Sequence, residues 1–239
     1  MSTFDFRGRS ILVTGVGQRG QAGEVIASAL GAAGARLMLI ERQATTGDER
    51  VADLAAAGVD AHAFACDLTD AAALSAIVPA IDAACPEGLH GLVHLAGGFG
   101  ASGPIADSDP AVWHRQIAIN ATTAYLTTRA FLPLLRRGKG AIVYFASAAA
   151  LPGASVANLV GYAVSKAGVL TVMRAVAAEE RQNGVRANAL APTAIRTATN
   201  MAALSPTASY VERETVALWV MQLLHPSSGP VSGQVIQLG

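Results

Sequence analysis

The stretch Ser10-Ile-Leu-Val-Thr14-Gly15-Val-Gly17-Gln-Arg-Gly20-Gln-Ala-Gly23 decides how this 239-residue chain is read. A short β-prone run, Ser10–Thr14, enters a glycine cluster. A helical pattern follows over Gly23–Ala33, with Val25, Ile26, Ala29 and Leu30 on one face. Gly15-x-Gly17-x-x-Gly20 therefore lies after a strand and before a helix, the context a dinucleotide-binding turn requires. Glycine lets such a backbone turn tightly and approach a pyrophosphate, whose charge rests on the helix N-terminus. A plain tight turn is the alternative reading of the same residues.

Outward from this unit the pattern repeats. Strand-like runs at Arg36–Ile40, His62–Cys66, Gly91–Leu95, Gly140–Phe145, Arg186–Leu190 and Gln234–Leu238 alternate with helical segments. The helices fall at Glu49–Ala57, Ala71–Ala84, Ala111–Arg137, Gly161–Asn183 and Glu212–Leu224. Strands that are apolar throughout and separated by helices are buried on both faces. The expected fold is α/β: a single doubly wound Rossmann-type domain over residues 1–239, with a seven-stranded parallel sheet and helices on both faces. No composition break, repeat or low-complexity tail divides it.

Hydrophobic residues make up 52% and charged residues 14%, which excludes a disordered chain. The zero net charge gives no reason to expect a nucleic-acid or anionic-membrane partner. From Gly140 to Ser165 no residue is charged, a length that could span a bilayer. Its glycines, serines, Pro152 and Asn158 fit a strand, a loop and a helix start better, so no membrane span is expected. Cys66 and Cys85 show no metal spacing, and no signal-peptide pattern precedes them, so a reducing, cytoplasmic location is expected. No cluster of ligand residues suggests a metal.

Several residues at strand ends could bind a nucleotide. Glu41 lies about 20 residues beyond the glycine turn, where a carboxylate accepts ribose hydroxyls and repels a 2′-phosphate. Arg42 beside it could hold that phosphate instead, or the two could form a surface ion pair; NAD is favoured over NADP. Asp67 and Leu68 follow the third strand, and Ala96-Gly97-Gly98 the fourth. Asp67 could take the adenine amino group and the glycines could admit the ribose, or all could be turn residues. Tyr162 and Lys166 stand four apart on one helical face. A nearby ammonium favours the phenolate and lowers a phenol pKa from its usual ~10. The same pair also fits an ordinary helix.

Taken in order, these motifs resemble the short-chain dehydrogenase/reductase family from about Arg7 to the last residue. They are Thr14-Gly15, Asp67-Leu68, Ala96-Gly97, Asn120 in the long helix and Ser147 after the fifth strand. Tyr162-Ala-Val-Ser-Lys166 and Arg186-Ala-Asn-Ala-Leu-Ala-Pro192-Thr-Ala-Ile195-Arg-Thr197 complete the set. The resemblance implies an NAD(P)-dependent oxidoreductase that interconverts a small-molecule secondary alcohol and a carbonyl. In it Tyr162 is the acid/base, Lys166 lowers its pKa and binds the nicotinamide ribose, and Ser147 orients the substrate. Asn120 holds a water that relays protons from Lys166. Pro192, Ile195 and Thr197 hold the nicotinamide carboxamide. The family's two long helices commonly pair across subunits, implying a homotetramer, with a dimer as the alternative. The competing functional class is a catalytically silent cofactor-binding sensor or scaffold.

Some features depart from the family pattern. The glycine loop is two residues longer than usual and looks like that of the enoyl-reductase branch. That branch spaces its Tyr and Lys further apart, which argues against enoyl reduction. Leu95 stands where Asn is usual, and Thr193 where Gly is common. The interval from Ser147 to Tyr162 is two residues wider, absorbed by 151–158, and Ser155 is a rival to Ser147. The substrate-covering segment, about 197–211, is short and carries few large apolar residues beyond Met201, Leu204 and Tyr210, which favours small substrates. Phe99, Ala149, Leu159 and Met201 are pocket candidates by position.

Overall fold

Successive side chains of a strand point to opposite faces, and in β1, β2 and β5 both sets are apolar, so both faces of the sheet must be covered. The computed structural model describes residues 4–203 and 209–239. Strands β1 (Ser10–Thr14), β2 (Arg36–Glu41), β3 (Ala61–Ala65), β4 (Gly91–His94), β5 (Ala141–Phe145), β6 (Arg186–Pro192) and β7 (Val235–Leu238) form one sheet. Every pairing is parallel, in the order β3-β2-β1-β4-β5-β6-β7. The expected doubly wound seven-stranded sheet is what the chain forms.

The strands are covered by α1 (Ala22–Ala32), α2 (Ala44–Ala56), α3 (Ala71–Ala84), α4 (Pro110–Gln116), α5 (Thr123–Gly138), α6 (Val160–Glu179), α7 (Ala198–Ala203) and α8 (Arg213–Leu224). Two cores result. Ile11, Val13, Leu37, Leu39 and Val93 pack with Ile26 and Leu30 of α1 and Val216 and Val220 of α8. On the opposite face Leu12, Met38, Ile40, Leu92 and Ile142 pack with Leu74, Phe131, Leu170 and Met173. Each such side chain contributes about 1.5–3 kcal/mol of burial. Asp70 and Asp109 start α3 and α4 by accepting the N–H groups of Ala72, Ala73 and Ala111.

Two helix expectations are corrected. Helix α2 starts at Ala44 rather than Glu49. Gly47 is no breaker there: a Cβ would lie 2.9 Å from Ala63 Cβ, so the glycine admits close helix–sheet packing. The long helix expected over 111–137 is split, because Ile117–Thr122 forms a π-helical segment between α4 and α5. Such bulges free backbone groups and re-aim side chains, and Asn120 sits inside this one.

The uncharged stretch 140–165 becomes β5, a loop and the first turns of α6. Helix α6 is long and apolar enough to cross a membrane. It buries Ser165, Lys166, Val169, Leu170, Met173 and Val176 within the protein instead. Strand order reverses between β1 and β4, whose carboxyl ends, Thr14 and His94, lie side by side. That reversal opens the crevice where sheets of this kind bind ligands.

Candidate active site

The turn after β1 is built by three glycines with φ of +71°, +73° and +83° at Gly15, Gly17 and Gly20. A Cβ on Gly15 would come within 2.9 Å of the Ala96 backbone, so the two turns at the switch point touch. The loop amides face anionic oxygens. Gly17 N–H donates to Glu41 Oε1 at 2.7 Å and Gly20 N–H to Glu24 Oε2 at 3.2 Å. Backbone N–H groups held toward carboxylate oxygens suit a pyrophosphate equally well. Burial raises the Glu41 carboxyl above its ordinary pKa, and the loop N–H groups partly offset this. Its expected partners were ribose hydroxyls, yet Oε1 serves the glycine loop. Asp67, exposed, likewise caps its own turn through Thr69 N–H and Oγ. Leu68 beside it is buried in the core.

Asn120 is fully buried and holds the turn after β4. Its Nδ2 donates to Gly98 O, and its Oδ1 accepts Gly98 N–H, both at 3.1 Å. Nδ2 also reaches Gln116 Oε1 and Ser165 Oγ. A Cβ on Gly97 would collide with Asn120 Oδ1 and lie 3.3 Å from Lys166 Nζ. Ala96, Gly97, Asn120 and Lys166 therefore converge. Phe99, next to the clamped Gly98, meets the Tyr162 ring edge-on at 5.1 Å.

Lys166 is buried on the same helix as Tyr162 and donates to Phe145 O at 2.9 Å. Burial pulls its ammonium down to about 8. Ser147, two residues beyond Phe145, is buried and starts the short helical turn Ala148–Ala150, accepting Ala149 N–H. Burial raises the Tyr162 phenol above its ordinary value, and the Ser147 hydroxyl opposes the rise. The expected lowering by Lys166 is not what sets this phenol: desolvation raises it, and Ser147 is the group that opposes the rise. Ser155 is exposed on the loop, so Ser147 is the serine that joins the tyrosine.

Pro192 ends β6, and Ile195 forms a bridge with Val211 beside it. Thr197 is buried and its Oγ accepts Asn200 N–H at the start of α7. Gln21 Nε2 reaches Thr199 Oγ at 2.9 Å, tying the glycine loop to α7. Met201 is exposed, and Leu204 lies outside the described residues. Over the crevice, Ser102 N–H and Oγ both bond Asn158 O, at 2.8 and 3.1 Å, fastening the loop after β4 to the loop before α6.

His94 was not singled out in the sequence. It is fully buried, with Nδ1 3.1 Å from Thr14 Oγ and Nε2 3.4 Å from Thr123 Oγ. Burial, then Lys166, holds it down to about 3, so the ring is a neutral brace between β1, β4 and α5. Gln116 and Ser165 were also missed. Polar residues at helical spacing on either side of Asn120 and Tyr162 were the available signal.

Residues 15–238 match a family model described as Enoyl-(Acyl carrier protein) reductase. A 2-(S)-hydroxypropyl-CoM dehydrogenase from Xanthobacter autotrophicus is 35% identical over 71% of this chain and 66% of its own length. The chain belongs to the short-chain dehydrogenase/reductase family. A galactitol 2-dehydrogenase from Rhizobium johnstonii is 34% identical over 91% of this chain and 81% of its own length. Alignments to such relatives span from 42% to 81% of their lengths. A 7 alpha-hydroxysteroid dehydrogenase solved with NADH and 7-oxo glycochenodeoxycholic acid superposes with TM-score 0.88 at 25% identity, covering 98% of this chain and 94% of that one.

Proposed function

We infer that this short-chain dehydrogenase/reductase interconverts a small secondary alcohol and its carbonyl, using NAD in preference to NADP. The observation that carries the reading is the meeting of Ser147, Tyr162 and Lys166 at the carboxyl edge of the sheet, beside Asn120 and Gly97. Gly15, Gly17, Gly20, Ala96 and Gly97 would cradle the cofactor, with Glu41, Asp67 and Leu68 at its adenosine end and Pro192, Ile195 and Thr197 at the other. The bound nicotinamide supplies or accepts the hydride.

The chain's own groups manage the proton. Burial keeps the Tyr162 phenol protonated, the form that donates to a carbonyl oxygen during reduction. The phenolate left behind is stabilised by the Ser147 hydroxyl and the buried Lys166 cation. Ser147 orients the reacting oxygen, and Asn120 supports a relay from Lys166 while holding the turn that carries Phe99. The Tyr162/Lys166 spacing favours carbonyl over enoyl substrates, despite the description of the matching family model. The glutamate on the glycine loop supports NAD, because a 2′-phosphate beside its carboxylate would be repelled.

One catalytic domain over residues 1–239 fits a sheet that draws strands from Ser10 to Leu238. A homotetramer is supported by exposed Trp113, Tyr125 and Val164 on α4, α5 and α6, and by Leu218 on α8. The two unpaired cysteines support a cytoplasmic location. Purified protein mixed with NADH or NADPH and a panel of carbonyls tests the function. Oxidation of NADH with a small ketone is expected; tight cofactor binding without turnover on any carbonyl overturns it in favour of a sensor.

A further inference from the structure

We propose that a cleft at the amino edge of the sheet, opposite the cofactor crevice, binds a small polyanion carrying phosphate or carboxylate groups. The cleft measures about 600 Å³, within the range of small-molecule sites. Arg9, His90, Lys139, Arg181, Arg186 and Ser232 line it, and among the described residues no Asp or Glu does. It lies beside Ala141 and Arg186, the first residues of β5 and β6. Ala177 of α6 lines it too, about 22 Å along the helix axis from Tyr162.

Cations here have an ordinary use, since α5, α6 and α8 all end at this edge. Each helix C-terminus presents about half a negative charge. Arg186 meets most of that need alone. Its guanidinium donates to the carbonyls of Leu223, Leu224, His225 and Val231 at 2.9 to 3.3 Å, with no carboxylate partner. Arg9, Lys139 and Arg181 are then surplus positive charge. None forms an ion pair among the described residues. The nearby Glu180 is occupied by Arg136 and Asn183, and Glu87 acts on His90 from outside the lining.

Lys139 is placed at a conformational cost. It adopts φ +47°, the left-handed region, between Gly138 and Gly140, where a Cβ would strike Leu89. Its stem lies over Gly184, where an added Cβ would sit 3.6 Å from Lys139 Cγ, in ordinary contact. A glycine at 139 would avoid the strain, whereas the lysine that stands there adds a cation to the cleft.

Two neutral donors complete the site. His90 Nδ1 accepts Ser10 N–H at 3.1 Å, which leaves the neutral ring's proton on Nε2. Ser232 Oγ accepts Ala187 N–H at 3.2 Å, which leaves its O–H to donate. Three unpaired cations and two donors around one cleft match an anion with several oxygens.

Calorimetric titration of pyrophosphate into enzyme saturated with NADH, at constant ionic strength, tests the site with the glycine loop already filled. One saturable site per chain is expected, weakened about tenfold or more in a Lys139→Gly/Arg181→Gln variant. Lys139→Gly relieves the left-handed strain, so the variant's thermal midpoint should not fall. A parallel citrate titration separates a phosphate ligand, if citrate binds poorly, from a polycarboxylate, if it binds as well. Absence of saturable pyrophosphate and citrate binding to the wild type, or unchanged affinity in the double variant, overturns the proposal.

Discussion

Asn120 and Gly98 exchange two hydrogen bonds, side-chain amide to carbonyl and backbone N–H to side-chain oxygen, each 3.1 Å long. A primary amide reads both polar groups of a single glycine in this way. The turn that follows β4 is thereby fixed to a π-helical segment, and Phe99 is fixed against Tyr162. The same Asn Oδ1 fills the space a side chain at Gly97 would need.

Gly97→Ala would push a methyl group into that oxygen. Overpacking of this kind costs about 1–3 kcal/mol. Urea unfolding should show a lower midpoint, with weaker NADH binding in the same variant. Wild-type stability would mean that the clamp is soft.

Tyr162→Phe removes the proton that serves the reacting oxygen while leaving the ring and its contact with Phe99. Turnover should fall by about a hundred- to ten-thousand-fold, the usual worth of a general acid or base. NADH affinity by fluorescence titration should stay unchanged. A catalytically competent variant would remove Tyr162 from the mechanism.

Ser147→Ala deletes the hydroxyl that opposes the burial-driven rise of the Tyr162 phenol. The limb of the pH–rate profile for alcohol oxidation that rises with pH, as the phenol loses its proton, should move to higher pH and kcat should drop. Ser155→Ala should change neither. Equal effects from the two serines would contradict the assignment.

Replacing Glu41 with Ala withdraws a negative charge from the adenosine end and frees the Gly17 amide. The NADPH-to-NADH ratio of kcat/KM should rise about tenfold or more. An unchanged ratio would show that the carboxylate does not select the cofactor.

Lys166 titrates at about 8 in the folded protein against an ordinary 10.5. Between those values the unfolded chain binds more protons than the folded one, so this residue makes stability rise with pH across the window. The gain lost in Lys166→Met is on the order of 3 kcal/mol at most. Urea unfolding at pH 7.5 and pH 10 should show the wild type gaining relative to the variant; parallel behaviour would refute a buried ammonium.

The sheet was legible because its strands are apolar on both faces and alternate with helices, which calls for parallel pairing with helices on either side. Tyr162 and Lys166 were legible from their four-residue spacing on one helix face, whereas Ser147 was legible only through the family resemblance. The split in the long helix was not, because the apolar periodicity runs on through Ile117–Thr122 and a change in backbone bonding leaves no mark in it. The first turn of α2 was not legible, because Ala44–Asp48 carries no apolar periodicity and its Gly47 serves close packing against Ala63 that only the assembled sheet reveals. Glu41 and Asp67 stood where expected, but their hydrogen bonds to Gly17 and Thr69 depend on loop geometry that spacing does not encode. His94 escaped notice because a buried imidazole between two threonines becomes visible only once β1, β4 and α5 are assembled.

The knot at Ser102 and Asn158 makes one roof out of two loops that are 56 positions apart in the chain. Shortening or lengthening either strap alone would drag the other out of place. Redesign for a new ketone should therefore exchange both straps together as a cassette, because a graft of one will unseat its companion.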